Sequence, residues 1–276
     1  MEQDFDLVIE PRKGFQGYWG ELWRYRELFF FLAWRDVLVR YKQTVLGLAW
    51  ALIRPFLILV VLTVVFGKLA KFPTEGGAPY PILVLAALLP WQLFSNALSG
   101  SSSSLINNSS MISKIYFPKI IIPTSSIIVS FVDFLIAFGL LVVMMLWYGY
   151  SPGLKVFCLP LFILLALLAA MGGGFWMSAL NVKYRDFRYI VPFVVQFGLY
   201  ISPVGFSSNV IPEVWRLVYA LNPMVGVIDG FRWALLGGDV EFNFVSFLVS
   251  ALVVGVLFWT GLSYFRRTER SFADVI

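Results

Sequence analysis

A chain of 276 residues that is 59% hydrophobic, 18% aromatic and only 13% charged lacks the polar surface of a soluble domain. With no histidine and a single cysteine, Cys158, it excludes imidazole metal sites, His-dependent catalytic triads and an intrachain disulfide. The formal charge of +5 comes from cations set beside apolar runs, the pattern of membrane topology and anionic-lipid contact rather than of nucleic-acid binding.

Residues 1–20 are polar, with Pro11, Gly14, Gly17 and Gly20, and read as a cytoplasmic arm; its acidic start, MEQDFDLVIEP, has no short apolar core, so no cleavable signal peptide is expected. Over residues 21–44, Leu22, Leu28, Phe29, Leu32, Ala33 and Val37 recur at helical spacing against Arg24, Arg26, Glu27, Arg35, Asp36 and Arg40. That stretch is too charged to span and predicts an amphipathic helix in the membrane interface. The chain enters lipid at RYKQTVLGLAWALIRPF, where Arg40, Lys42 and Arg54 form a basic collar, and a first span over Ala49–Leu69 is expected to kink at Pro55.

A second span begins near Ile82, carries Pro90, Trp91 and Phe94, and turns small and polar through Ser95, Asn96, Ser99 and Ser101–Ser104. That run is either a close-packed helix seam or the polar wall of a conduit. The segment NNSSMISKIYFPKIIIP, residues 107–123, predicts a short cytoplasmic helix parallel to the membrane. A third span, Ser125–Trp147, holds Asp133, either a structural hydrogen-bonding group or a pathway residue. The fourth, Val156–Leu180, contains Gly172-Gly173-Gly174, which permits either very close helix contact or a break.

After the basic loop NVKYRDFR, a short fifth span over Tyr189–Val204 places Tyr189, Phe193, Phe197 and Tyr200 on one face with Gln196 beside them. Residues 205–238 read as two short helices parted at Asn222-Pro223, each too short and too charged to span, and so as a re-entrant pair on the outer side. The last span, Phe244–Phe265, ends in Arg266, Arg267 and Arg270. With six spans and both termini inside, the inner segments hold sixteen Lys and Arg and the outer ones five. The expected fold is thus all-α and integral to the membrane: an arm (1–20), an amphipathic interface helix (21–44), a six-span body (45–265) and a cytoplasmic tail (266–276).

No GxxxxGK[ST] loop occurs, Gly67-Lys68 being an isolated pair, so the chain carries no nucleotide-binding motif of its own. Asp133 is the one carboxylate inside the predicted spans, thin equipment for ion coupling, and an external ATPase gains weight as the energy source. Asp4-Phe5-Asp6, Asn107-Asn108-Ser109 and Gly226 to Gly230 match a metal–nucleotide-sugar motif, a glycosylation acceptor and a helix-pairing motif; each lies in the wrong context.

RYKQTVLGLAWALIRPF, PYPILVLAALLPWQLFSNAL, NNSSMISKIYFPKIIIP, SALNVKYRDFRYIVPF and NPMVGVIDGFRWALLG, in that order and spacing, resemble the permease subunit of ABC-2-type polysaccharide exporters, the group that moves O-antigen, capsule and teichoic acid. The resemblance implies a homodimer joined to two separate ATPase subunits that bind the ATP and Mg, with no cofactor or metal on this chain, in a bacterial inner membrane. It implies that Ser113, Lys114, Ile115, Tyr116, Phe117, Pro118 and Lys119 form the coupling helix docking on the ATPase. It further implies that Arg40, Lys42, Arg54 and Arg185 meet the diphosphate of a lipid-linked glycan. Trp91, Phe94, Tyr189, Phe193, Gln196, Phe197 and Tyr200 would line a sugar conduit, and Trp215, Tyr219, Asp229 and Arg232 would belong to an outer gate. A permease for a small molecule or drug, or a membrane-embedded glycan-transfer enzyme, are the alternatives from other classes.

Overall fold

The computed structural model describes residues 15–42, 47–74, 76–184, 186–237, 240 and 242–272, and the regular structure within them is helical throughout. In chain order the helices are α1 (Phe15–Arg24), α2 (Arg26–Lys42), α3 (Gly47–Leu62), α4 (Tyr80–Asn107), α5 (Ser109–Ile112), α6 (Ile121–Trp147), α7 (Leu159–Lys183), α8 (Phe187–Ile201), α9 (Glu213–Tyr219), α10 (Pro223–Leu236) and α11 (Phe244–Thr268). The arm up to residue 14, Arg185 and the last four residues lie outside the described part.

Among the described residues, five helical segments are long and apolar enough to cross a membrane: Ala49–Leu69, Tyr80–Asn107, Ile121–Trp147, Leu154–Lys183 and Phe244–Thr268. The stretch predicted as a fifth span is α8, whose 15 residues reach only about 22 Å at 1.5 Å per residue, short of a ~30 Å hydrocarbon core. The first span is α-helical through Pro55, and its irregularity comes later, in a π-helical stretch over Thr63–Leu69, rather than at the proline.

α4 is the axis of the bundle. Its first half, YPILVLAALLPW, is apolar on every face, and a helix of that kind is stable only when surrounded. Ile82, Val84, Leu85, Ala86, Ala87 and Leu88 are accordingly fully inaccessible, between α6, α7 and α10. The apolar window of α4 is 78% buried against 17% for the first span, so α4 is interior and α3 peripheral.

The two readings left open for the serine run and the glycine triplet resolve together. α7 is unbroken through Gly172-Gly173-Gly174, and the triplet is a contact surface. A Cβ on Gly174 would stand 2.4 Å from Ser101 Oγ, one on Gly172 2.6 Å from the Phe258 backbone nitrogen, and one on Gly261 2.2 Å from the Gly172 carbonyl oxygen. Ser102, Ser103 and Ser104 bond back to carbonyls of α4 itself, and Asn181 Nδ2 donates to the Ser102 carbonyl at 3.0 Å. Ser102, Ser103 and Ser104 therefore satisfy their hydroxyls locally, Gly173 and Gly174 let α7 approach α4 there, and Gly172 and Gly261 let α7 and α11 approach each other.

Gly261→Ala is expected to lower the thermal unfolding midpoint in detergent, because overpacking costs ~1–3 kcal/mol against at most about 1 kcal/mol of gained helix propensity. Gly255→Ala, on the same helix with nothing within 4 Å of its would-be Cβ, is the control and should be neutral or stabilising.

The helix expected over 21–44 is two helices separated at Tyr25, and α1 begins inside the expected arm. The physical reason is packing: Tyr18 and Leu22 of α1 join Leu28 and Leu32 of α2 on a second apolar cluster with Leu105, Ile112, Phe117, Phe265 and Phe272. The opposite side of α2 shows Phe30, Phe31, Trp34 and Val39, all more than half or just half exposed, an apolar face suited to lipid.

Candidate functional site

Three sets of side chains stand out once the bundle is assembled. The first is a cavity of about 360 Å³ among α2, α3, α4 and α6. Arg40 and Tyr41 enter it from the end of α2, Arg54 from α3, Gln92 and Asn96 from α4, and Asp133 from α6. Asp133 lies twelve residues into α6, so the end of α2 reaches a point about 18 Å along that helix. There Arg40 Nη2 stands 2.6 Å from Asp133 Oδ2, and the Tyr41 hydroxyl donates to Asp133 Oδ1. Higher on α2, Arg35 Nη2 donates to Asn108 Oδ1 at 3.0 Å and ties the same helix to the end of α4.

Arg54 faces the cavity and lies within electrostatic reach of Asp133, yet among the described residues it forms no ion pair or hydrogen bond. The buried Nε2 of Gln92 likewise has no partner among them. An intramembrane carboxylate needs compensation, and Asp133 finds it in Arg40 and Tyr41. Lys42, one of the four predicted anion ligands, is exposed at the end of α2 and does not line the cavity, and Arg185 is outside the described residues.

The second set is a node on the side where α11 ends. Glu269, in the turn after α11, accepts from the Lys119 backbone N–H at 2.5 Å through Oε1 and from the Tyr18 hydroxyl at 3.0 Å through Oε2, while Lys119 Nζ donates to its carbonyl at 3.2 Å. The Arg266 guanidinium lies over the Tyr18 ring at 4.4 Å. Burial pushes the Glu269 carboxyl above the usual glutamate range, opposed by the Lys119 N–H, the Tyr18 hydroxyl and the Lys119 and Arg266 charges. Burial, reinforced by Glu269, pushes the Tyr18 hydroxyl up as well. One carboxylate thus joins α1, the segment before α6 and the end of α11.

The segment Ser113–Lys119, expected to form the coupling helix, is not helical. Helix α5 ends at Ile112, and 113–120 is a turn, as Pro118 disfavours helical backbone at the residue before it. The turn divides by exposure: Ser113, Lys114, Ile115 and Tyr116 face outward, Ile115 and Tyr116 at 57% and 55%, whereas Phe117 is 3% exposed and Pro118 is also buried. Phe117 packs on Leu32, Leu105 and Phe265, so it anchors the turn and the outward four form its face.

The third set comprises the aromatic stripe and the short helix pair. Tyr189, Phe193, Phe197 and Tyr200 are all more than half exposed along one face of α8, with Gln196 exposed beside them. Trp91 is 5% exposed and packed behind that helix, where a Cβ on Gly198 would touch it, and the ring of half-buried Phe94 lies tilted beside it at 5.6 Å. Neither belongs to the stripe. In the pair, Asn222 caps α10 by accepting from Met224 N at 3.0 Å.

Arg232, 1% exposed, donates to the carbonyls of Phe206 and Val204 at 2.8 and 3.1 Å, satisfying irregular backbone that apolar surroundings would otherwise leave bare. Tyr219 donates to the Ile201 carbonyl at 2.8 Å, Asp229 is half-buried, and Trp215 is 61% exposed. Of the four predicted gate residues, Arg232 and Tyr219 therefore fasten the pair to the end of α8 and the loop after it, and Trp215 alone is largely free to meet a ligand.

Sequence reasoning missed Glu269, Tyr18, Tyr41 and Gln92. The available signal was Glu269 itself, an acidic residue set within the basic tail RRTER.

The ABC-2 type transporter family profile matches residues 27–236. The chain is 27% identical over 243 residues to the O-antigen export system permease protein RfbA of Klebsiella pneumoniae, covering 88% of this chain and 92% of that protein. It is 27% identical over 258 residues to the O-antigen export system permease protein RfbA of Myxococcus xanthus, covering 93% and 98%. To the polysialic acid transport protein KpsM of Escherichia coli it is 24% identical over 242 residues, covering 86% and 92%.

Proposed function

From the premise that this chain belongs to the ABC-2 type transporter family, we propose that it is the membrane-spanning permease of an ATP-driven exporter of lipid-linked polysaccharide in a bacterial inner membrane. The observation that carries this reading is similarity along nearly the whole chain to permeases named for O-antigen export and polysialic acid transport. The chain lacks a P-loop, so ATP and Mg belong to a separate ATPase, and the outward turn Ser113–Tyr116 is the surface offered to it.

The α8 stripe and the exposed side of α3 are apolar faces that one copy leaves uncovered, and a second copy placed against them forms the conduit. In this arrangement α8 serves as the sixth span, the short pair α9–α10 lies on the outer side, and both termini are cytoplasmic. Aromatic faces suit a sliding sugar polymer because they offer broad contact without committing to one hydroxyl pattern.

Purification under native conditions should bring down a P-loop ATPase in equal copy number. Vesicles holding both proteins should move lipid-linked glycan when ATP is added, and vesicles holding this chain alone should not. Outward pumping by the chain alone overturns the reading, and so does its purification free of any ATPase.

A further inference from the structure

Where α8 ends, the backbone that follows is held by side chains from three other helices. The Tyr219 hydroxyl donates to the Ile201 carbonyl, Asn222 Nδ2 to Ser202 Oγ, the Tyr80 hydroxyl to the Gly205 carbonyl, and Arg232 to the Val204 and Phe206 carbonyls. Ser250 of α11 holds the pair α9–α10 from the other side, donating to the Ala220 carbonyl and accepting from the Gly226 N–H. Ser202, Val204 and Arg232 are at most 1% exposed, so parting the pair from α8 would strand carbonyls and a guanidinium in apolar surroundings. The pair is thus fastened to α8, α4 and α11 as one body.

The π-helical stretch Thr63–Leu69 that prolongs α3 meets this body differently. A Cβ on Gly67 would lie 2.8 Å from the Tyr80 ring, and one on Gly205 would lie 2.9 Å from the Phe66 ring. Each side of the seam therefore seats an aromatic ring on bare glycine backbone of the other. Among the described residues the bonds of this stretch stay local, as in Ala70 N–H to the Val65 carbonyl at 2.9 Å and Phe72 N–H to the Phe66 carbonyl at 3.0 Å. The buried Thr63 hydroxyl has no partner among them. Apolar contact is non-directional, so a ring can slide across glycine without leaving a polar group bare on the way. A π-helical distortion, frequent at functional sites, is a place where a helix can change its register.

We propose that the conduit opens at this seam: Thr63–Leu69 shifts across Tyr80 and Gly205, while α8 and the pair α9–α10 move together as one body. Tyr80 is the positioning residue, since its hydroxyl fixes Gly205 within the body and its ring is the surface that Gly67 passes over. The inference rests on the export reading and deepens it, placing the moving part of the outer opening on α3 and leaving Tyr219 and Arg232 as fasteners.

The test uses the complete transporter in vesicles, with Cys158→Ser throughout so that introduced cysteines are the only thiols of this chain. Oxidation of the pair Phe66→Cys and Gly205→Cys should stop ATP-driven glycan export while ATP hydrolysis continues, and a reductant should restore export. Bridging Ser202→Cys to Asn222→Cys with dibromobimane, inside the body, should leave export as it was. Unchanged export with the seam bridged overturns the proposal, and so does arrest by the second bridge.

Tyr80→Phe keeps the ring and frees Gly205, and it should lower the glycan moved per ATP hydrolysed about fivefold, the change that one ordinary hydrogen bond produces. A merely structural tyrosine would lower both activities in proportion, and an unchanged ratio overturns its positioning role. If the first cysteine pair is inactive even when reduced, Gly67→Ala decides: export lost beside continued ATP hydrolysis supports the seam, and unchanged export or equal loss of both activities overturns it. Failure of the unaltered transporter to export, or absence of an ATPase partner, defeats the export reading instead.

Discussion

Glu269→Ala is expected to cut glycan export about tenfold or more while ATP hydrolysis by the assembled transporter continues. Glu269 receives the Lys119 backbone N–H and the Tyr18 hydroxyl on its two oxygens in a buried setting. Each hydrogen bond to a charged group is worth ~1.5–3 kcal/mol, so loss of even one shifts the population of the tied arrangement by about tenfold. The tie matters because it fastens the turn proposed above as the ATPase-facing surface to the end of α11, and α11 in turn carries α10 through Ser250, whose Oγ accepts from Gly226 N at 3.1 Å. Motion of the turn then reaches the helix pair as a rigid displacement; without Glu269 the turn moves alone. Parallel assays of ATP hydrolysis and glycan translocation in vesicles check this, and equal loss of both activities would mean that Glu269 only holds the fold.

The same residue supplies a pH dependence. Its carboxyl is raised by burial, so the folded state keeps the proton to a higher pH than the unfolded chain does. Its contribution to stability is therefore full below about 4.3 and is lost as pH rises from there through the raised value. Glu269→Gln keeps an acceptor for the Lys119 N–H but cannot ionise, and it should flatten this part of the stability profile in a denaturation series run across acidic to neutral pH.

Ile115→Asp combined with Tyr116→Asp should abolish recovery of the ATPase with this chain while leaving insertion and thermal stability unchanged. Both side chains are more than half exposed, so their replacement takes little from the fold. Exposed aromatic and aliphatic anchors on a docking face each carry about 2 kcal/mol or more when a partner covers them, and a carboxylate in their place adds a desolvation cost. Phe117→Ala serves as the contrast: that ring is 3% exposed in the second apolar cluster, and its removal should cost ~3–5 kcal/mol of stability. Phe117→Ala thus lowers the amount of folded protein, whereas the double charge change lowers only partner recovery, as quantitative pull-down beside a thermal melt will show.

Much of the architecture is written in one dimension. A span shows itself by an unbroken run of apolar residues, because lipid imposes that requirement on each helix separately; the first span, Ala49–Leu69, is legible from hydropathy alone. The break at Asn222-Pro223, the all-helical class and the exposed aromatic stripe of α8 were legible for the same reason, since each depends on residues that are neighbours in sequence or one helical turn apart.

What the sequence left undecided are relations between distant segments. Whether Ser101–Ser104 lines a conduit or a seam depends on which helix lies opposite, and α7 with its glycines lies there. The mate of Asp133 is 93 positions away, the mates of Glu269 are 150 and 251 positions away, and nothing local marks them. Phe117 and Tyr116 are adjacent and chemically alike, yet one is core and the other surface, because a turn held by Pro118 sends consecutive side chains to opposite sides. The amino-acid order thus determined which segments are lipid-soluble. Tertiary packing decided which charges meet, because an ion pair or a buried donor is a property of two surfaces brought together and not of either alone.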